Sequence, residues 1–523
     1  MNTRRKLLKA VPAAALGAML PPGMMLLASG KAVADATAPT VYWNITEQNP
    51  PNTRKTTSTL FGFNVPWGDL QQWFVGADNK AKSDATTYLQ AFPGALYRYP
   101  GGTPSNAFLW RWAIGRTHPR PSQPWTSNTS LSADFGIDEF LAWVRNDLQG
   151  QVVYTLNMQT FVDKSTNTQK GFTTPAGFAA DALDLMSYIL SSANGDVVEY
   201  WELGNELDAS PLWPGETYAA YAAELIKQAN LSTDAKIRAA KIVIQTATNI
   251  GGTNHRQTWN ADVKNTLAQL GQTPDGISAH EYYEMPGTTA DMYGMLTDIG
   301  IASAQWPDTP LLVTEHAIDL GIYDQTTAIH KYASAMEGGI AAADFTMLAL
   351  WSGWAGANWH ALEHGAAWEL LHITADSTKK IYPSAIYPSL LALRRGVPVG
   401  GRLVNHVVLQ NGTSTYPYGQ HLMAFMDSTG TKMSVVGVNR SAAPISLKLA
   451  WPNINQSTSV NIHIAGNAGH GTVTDATDNT DTVTDYITVI PYVETVTHLM
   501  NVSGDGTVTL PMPAKSVFSL IAV

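Results

Sequence analysis

From Leu60 onward, short β-rich runs alternate with longer stretches of helical period, and this alternation limits the possible folds more than any other feature of the chain. The runs are "LFGFNV" from Leu60, "LYRYP" from Leu96, "VVYTLN" from Val152, "VVEYWELGN" from Val197, "KIVIQTA" from Lys241, "GISAHEYY" from Gly276, "LLVTE" from Leu311 and "FTMLALW" from Phe345. Between the second and third, Ile137, Phe140, Leu141, Val144 and Leu148 repeat at the spacing of one buried helix face. Leu183, Met186, Ile189 and Leu190 do so after the third run, and Tyr218, Tyr221, Leu225 and Ile226 after the fourth. Parallel strands need such crossovers, and eight units in a row predict a closed (β/α)8 barrel over residues 60–392. An open doubly wound sheet would carry a glycine-rich phosphate loop after its first strand, and this chain has none there.

Beyond residue 392 the texture changes to period-two runs separated by Gly, Asn, Asp and Ser. "HLMAFMDSTGTKMSVVGVN" reads as a hairpin, with "VNIHIAG", "DYITVIP", "GTVTL" and "SVFSLIAV" as further strands, so residues 393–523 are expected to form an antiparallel β-sandwich. "TVYWNIT", within residues 37–59, has strand character and is expected to join that sandwich rather than the barrel. "THPRPSQPWTSNTS" from Thr117 reads as a long loop after the second barrel strand.

The first 36 residues read as an export leader. "TRRKLLK" from Thr3 resembles the twin-arginine signal, an apolar stretch follows, and Ala32-Val33-Ala34 supplies small residues for cleavage. Pro21-Pro22 interrupts the apolar stretch and argues against a retained membrane anchor. A periplasmic or secreted bacterial protein is therefore expected. The chain has no cysteine, which excludes a disulfide scaffold. Its net charge of −10 becomes more negative once Arg4, Arg5, Lys6, Lys9 and Lys31 leave with the leader. Such a surface repels nucleic acid and anionic lipid but is indifferent to a neutral substrate. Sixteen tryptophans and 20 tyrosines offer flat faces suited to cores and to sugar rings alike.

In a barrel of this kind the C-terminal strand ends surround a common mouth. "YWELGNELD" puts Glu206 at the end of the fourth strand, and "LLVTEHAID" puts Glu315 at the end of the seventh, so closure brings two carboxylates face to face. Glycoside hydrolysis needs such a pair. At about 5 Å apart one attacks the anomeric carbon while the other donates a proton; at about 6.5–9.5 Å a water fits between them and configuration inverts. Asn205, beside one of the pair, is placed to hydrogen-bond a sugar hydroxyl.

"WELGNE" together with "LLVTEH" resembles clan A of the retaining glycoside hydrolases. "LYRYPGG" is similar to the second-strand motif, and "ISAHEYY" to the sixth-strand motif, of α-L-arabinofuranosidases in that clan. The trailing β-sandwich fits that family and its β-xylosidase-like relatives. The resemblance implies that Glu206 is the acid/base and Glu315 the nucleophile. It further implies that Arg98 holds Glu315 ionised, Tyr282 hydrogen-bonds Glu315, His280 shapes the site, Asn205 binds a hydroxyl, and Trp351 at the eighth strand end forms a sugar platform. One departure stands out: Thr103-Pro104-Ser105 occupies the place where those enzymes commonly carry Asn.

The expected partner is an oligo- or polysaccharide, with no cofactor and no metal. A β-xylosidase-like or endo-acting β-glycanase of the same clan is the alternative enzyme, and a non-catalytic carbohydrate-binding protein the alternative class. "HALEH" from His360 matches a zinc-peptidase pattern, which works only on a helix that brings both histidines to one face. Glu281, Glu284, Asp319 and Glu363 are expected to be loop or rim groups, with Glu202 and Asp208 as neighbours tuning Glu206.

Overall fold

The computed structural model describes residues 40–45, 55–115, 117–125, 128–248, 254–283, 299–318, 336–363, 368–373, 379–407, 420–441, 443–450, 459–466, 494–499 and 507–522. The leader, "DYITVIP", Glu284, Asp319 and His364 lie outside them.

Eight parallel strands close into a barrel: β1 (Gly62–Asn64), β2 (Leu96–Tyr99), β3 (Gln151–Leu156), β4 (Val198–Leu203), β5 (Lys241–Gln245), β6 (Gly276–Tyr283), β7 (Leu311–Ile318) and β8 (Gly356–Trp359). Each strand pairs with its sequence neighbour, and β8 returns to β1. Helices α1 (Ser83–Leu89), α2 (Ile137–Trp143), α3 (Pro175–Ser191), α4 (Gly215–Leu231), α5 (Asn254–Gln269), α6 (Met336–Ser352) and α7 (Ile386–Gly396) accompany it. The helical-period residues bury as that spacing dictates: all five around α2 and all four on α4 are buried. On α3, Met186 and Ile189 are buried, while Leu183 and Leu190 are only partly covered.

The eighth strand is where the sequence expectation fails. "FTMLALW" is the second half of α6, and the strand is the following "GANW". The physical reason is that α6 is buried on nearly every side, Asp344 and Thr346 included, and residues 347–351 are an unbroken apolar run. A continuous apolar run does not distinguish a buried helix from a buried strand. Gly356 and Asn358, in turn, give the true strand little β character. The expected loop from Thr117 also holds a short hairpin, Ser122–Pro124 with Ser130–Ser132.

Among the described residues, eight further strands follow α7. Strands β9 (Arg402–Val407), β10 (Gln420–Met426), β11 (Met433–Asn439), β12 (Ile445–Ala450), β13 (Ser459–Gly466), β14 (Glu494–Leu499), β15 (Thr507–Met512) and β16 (Ser516–Ala522) form two sheets. One is six-stranded in the order β9-β10-β11-β16-β13-β14. The other is three-stranded, with β12 between β15 and the N-terminal strand Thr40–Asn44, which runs parallel to β12. Their facing side chains, including Val41, Trp43, Leu447, Leu510, Val435 and Leu520, make a core separate from that of the barrel.

The outer face of the six-stranded sheet lies on α6 and α7. A Cβ on Gly396 would come within 2.4 Å of Ser519 and 2.5 Å of Val436, so only glycine allows the end of α7 to approach the sheet this closely. Across the same contact, buried Asp344 of α6 accepts from Arg440 Nε at 2.5 Å and sits 3.2 Å from His421 Nδ1. Both partners come from the sheet region.

His316 of β7 is buried against Phe345 (ring centroids 4.2 Å apart) and Tyr283. Burial, with some help from the neighbouring His360, pushes its imidazole down to about 3. The folded protein therefore refuses a proton that the unfolded chain accepts below about pH 6.5. His316 withdraws stability as pH falls below that value, at up to about 1.4 kcal/mol per pH unit. Urea melts of wild type and His316→Gln from pH 7 to 5 check this: the difference in slope should correspond to one proton, and parallel slopes would refute it.

Candidate active site

The C-terminal ends of β1, β2, β4, β6, β7 and β8 each send a polar side chain toward Glu315. How β7 delivers its own is a matter of register. Opposite β6, Val313 pairs with Ala279 but Glu315 pairs with His280, leaving Thr314 as an extra residue; the register with β8 also shifts between Val313 and His316. Successive residues of a regular strand point to opposite faces. The bulge removes that constraint, and both Thr314 and Glu315 join one buried network. Thr314 Oγ1 donates to Glu202 Oε1 at 2.6 Å, and Glu315 Oε1 receives Arg98 Nη1 at 2.5 Å.

Arg98, fully buried, is the hub. Its Nε donates to Glu202 at 2.5 Å, Nη1 to Glu315, and Nη2 to Asn205 Oδ1 at 2.9 Å. Glu202 also receives Thr155 Oγ1 at 3.0 Å. Glu202 is therefore the second carboxylate of Arg98, which corrects its assignment as a group tuning Glu206. Glu315 is further held by Asn64 Nδ2 at 3.0 Å on Oε1 and by the Tyr282 hydroxyl at 2.6 Å on Oε2. His280 Nδ1 and His360 Nδ1 each stand 3.6 Å from Oε2. Asn64 is packed so tightly that a Cβ on Gly101 would lie 2.2 Å from its Oδ1, and Gly101 and Gly102 both have positive φ. The "PGG" after β2 is therefore a backbone requirement of the site.

The electrostatics follow from these contacts. Burial pushes the Glu315 carboxyl up, but His280, His360, Arg98 and the Tyr282 hydrogen bond outweigh it and hold the carboxyl well below its usual range. Burial lowers His280, while Glu315 and the hydrogen bond to Glu206 more than compensate and raise it. Burial, then the charges of Glu315 and Glu206, push the Tyr282 phenol far up, so it stays a donor.

Glu206 is differently placed. It lies beyond the end of β4 in the left-handed region (φ 49°, ψ 35°), its side chain is 40% exposed, and its Oε1 is 3.0 Å from His280 Nδ1. One ligand-type atom from each of Glu206, His280 and Glu315 lies within 4.8 Å of the other two. A cation of suitable size could use that trio, but it would have to displace the N–H and O–H donors already aimed at Glu315.

Of the residues singled out from sequence, Glu206, Glu315, Asn205, Arg98, His280 and Tyr282 meet at this mouth. Trp351 does not. It is on α6, before β8 begins, and so lies at the end of the barrel where strands start, away from Glu315. The misplaced eighth strand is the cause. The aromatic group beside Glu315 is instead Tyr282, His360 and Trp368, with ring centroids 5.5–6.0 Å apart. "HALEH" is not helical from His360 to Glu363, and His360 faces Asn64 at 2.5 Å, so the peptidase geometry is not formed. Glu281 is a buried residue of β6 rather than a loop or rim group, while Glu363 lies in the loop after β8 and is buried there. Asp208 pairs with Arg256 at 2.9 Å. Asn64, His360, Trp368 and Asn106 were not expected; the only sequence signal for the first two is a polar residue closing an apolar strand.

A family model described as the alpha-L-arabinofuranosidase 1 domain matches residues 88–229, which span β2 to β4 and include Arg98, Asn205 and Glu206. Among solved structures, a family 51 α-L-arabinofuranosidase from Bifidobacterium longum superposes with a TM-score of 0.67 at 15% identity, over 93% of this chain and 100% of that one. The fold is arabinofuranosidase-like. An α-L-arabinofuranosidase from Thermotoga maritima, in an arabinose complex, gives a TM-score of 0.63 at 15% identity, covering 92% of this chain and 99% of that one. CelM2, a bifunctional glucanase-xylanase from a metagenome library, gives 0.55 at 12% identity over 93% and 99%. No curated protein matches the sequence.

Proposed function

We propose that this chain is a retaining glycoside hydrolase that releases terminal α-L-arabinofuranosyl or related pentosyl groups from a saccharide. The reading rests on one observation above all: two carboxylates from β7 and the end of β4, one buried and one open to solvent, have oxygens within 4.8 Å of each other. That gap suits direct attack and leaves no room for an intervening water. Glu315, held ionised, attacks the anomeric carbon as Glu206 gives its proton to the departing oxygen; the C–O bond breaks and a glycosyl ester of Glu315 forms. Glu206, now a carboxylate, takes a proton from water, which attacks the same carbon and frees Glu315. Arg98 occupies the Asn205 oxygen, leaving the amide nitrogen for a sugar hydroxyl.

An endo-acting β-glycanase is the second reading, favoured by the likeness to the glucanase-xylanase. A panel of nitrophenyl glycosides and β-glycan oligosaccharides, with NMR of the first-formed anomer, tests both. The expected result is fastest cleavage of the α-L-arabinofuranoside with retained configuration. An inverted first product would overturn the double displacement, and a preference for internal β-linkages would favour the second reading.

A further inference from the structure

Among the described residues the Glu206 carboxyl has one side-chain hydrogen-bond partner, His280, yet its backbone is held in a left-handed conformation that a glutamate does not favour. The constraint comes from the peptide groups on either side. On the N-terminal side, the Asn106 side chain grips Asn205 twice: Nδ2 donates to the Asn205 carbonyl at 2.7 Å, and Oδ1 accepts from the Asn205 N–H at 3.1 Å. On the C-terminal side, Gln245 Oε1, at the end of β5, accepts from the Leu207 N–H at 3.1 Å. The Glu206 carbonyl itself accepts from Ala209. Two side-chain amides from different strand ends thus bracket a single residue. The Asn205 side chain is separately fixed by Arg98, so the bracket is tied to the group that holds Glu315.

We propose that Asn106, with Gln245, is a positioning residue for the acid/base: the pair holds the strained turn at Glu206 and thereby aims a half-exposed carboxyl at the leaving oxygen. The inference rests on the acid/base role proposed for Glu206. It also gives a function to the second-strand loop, where the sequence departs from the arabinofuranosidase pattern. Thr103-Pro104-Ser105 stands where those enzymes commonly carry Asn, and the amide that loop does supply, Asn106, is turned to the backbone of Asn205.

The test compares Asn106→Ala with Glu206→Ala and wild type on two arabinofuranosides, one with a dinitrophenyl leaving group and one with an alkyl leaving group, each with and without azide. A misaimed acid hurts the poor leaving group most, and azide attacks the glycosyl ester without needing a base. Asn106→Ala should lose roughly tenfold to hundredfold on the alkyl glycoside, as for a displaced catalytic group. Its dinitrophenyl turnover should rise with azide, yielding a glycosyl azide of retained configuration, as for Glu206→Ala. Asn106→Asp, which keeps an acceptor for the Asn205 N–H but loses the donor, should lie between, and it carries the test should the alanine variant not fold. Unchanged activity, or equal losses on both substrates with no azide response, overturns this inference alone. Absence of an azide response in Glu206→Ala removes the acid/base reading and this inference with it.

Discussion

Glu315→Ala will fold, bind sugar and hydrolyse nothing measurable: turnover should fall by at least about four orders of magnitude, the scale on which removal of a nucleophile acts. Folding should survive because Arg98 keeps Glu202 as its partner and is not left as an unpaired buried charge. The small cavity left beside Asn64 and Tyr282 should admit azide. With an activated aryl glycoside, azide should restore part of the turnover and give a glycosyl azide of inverted configuration, since it takes the place of the missing carboxylate in a single displacement. Polarimetry or NMR of that product is decisive. Residual hydrolysis within tenfold of wild type would end the assignment of Glu315 as nucleophile.

Arg98→Met should damage stability as well as activity. The guanidinium is the counter-charge of two buried carboxylates, and removing one member of such a cluster costs about 3–5 kcal/mol. The pH dependence should weaken with it. In wild type, Glu315 is held below its unfolded value, so it contributes stability above the ordinary carboxyl range and loses it as pH falls through the folded value. Without Arg98, burial, already the largest influence on Glu315, is opposed by His280, His360 and the Tyr282 hydrogen bond alone, and the carboxyl should move back toward its ordinary range. Glu315 then has less stability to lose, so the deficit against wild type should shrink as pH falls from 7 to below the ordinary carboxyl range. Urea denaturation across that range gives the answer. A variant within about 1 kcal/mol of wild type at pH 7 would contradict the role of Arg98 as hub.

Much of this site was readable because its chemistry demands residue types that strand stability does not. Nothing in β propensity favours Glu at 206 or Glu at 315, or an arginine facing the interior of β2, so these residues stood out against their strands. His280 and Tyr282, two apart on β6, were found through motif likeness, and period two explains why both face the mouth. The rest was hidden for identifiable reasons. Trp351 was misplaced because a helix buried on nearly every side has no readable period. Glu202 was misassigned because its partner comes from a strand 104 residues away in sequence. The Thr314 bulge leaves no compositional trace, since its effect is to let two adjacent residues face the same side. Asn106 lies in a loop and acts on backbone, where side-chain patterns are silent.

The contact between the six-stranded sheet and α6–α7 bears on how separable the two halves are. Asp344 belongs to the barrel, yet its counter-charge, Arg440, and its second partner, His421, arrive from the other half, and Gly396 is bare of a side chain because Ser519 and Val436 press against it. A barrel trimmed after α7 would be left with an unneutralised acid at a freshly wetted apolar seam. The catalytic half is therefore not a portable module, and the all-β half belongs to the scaffold.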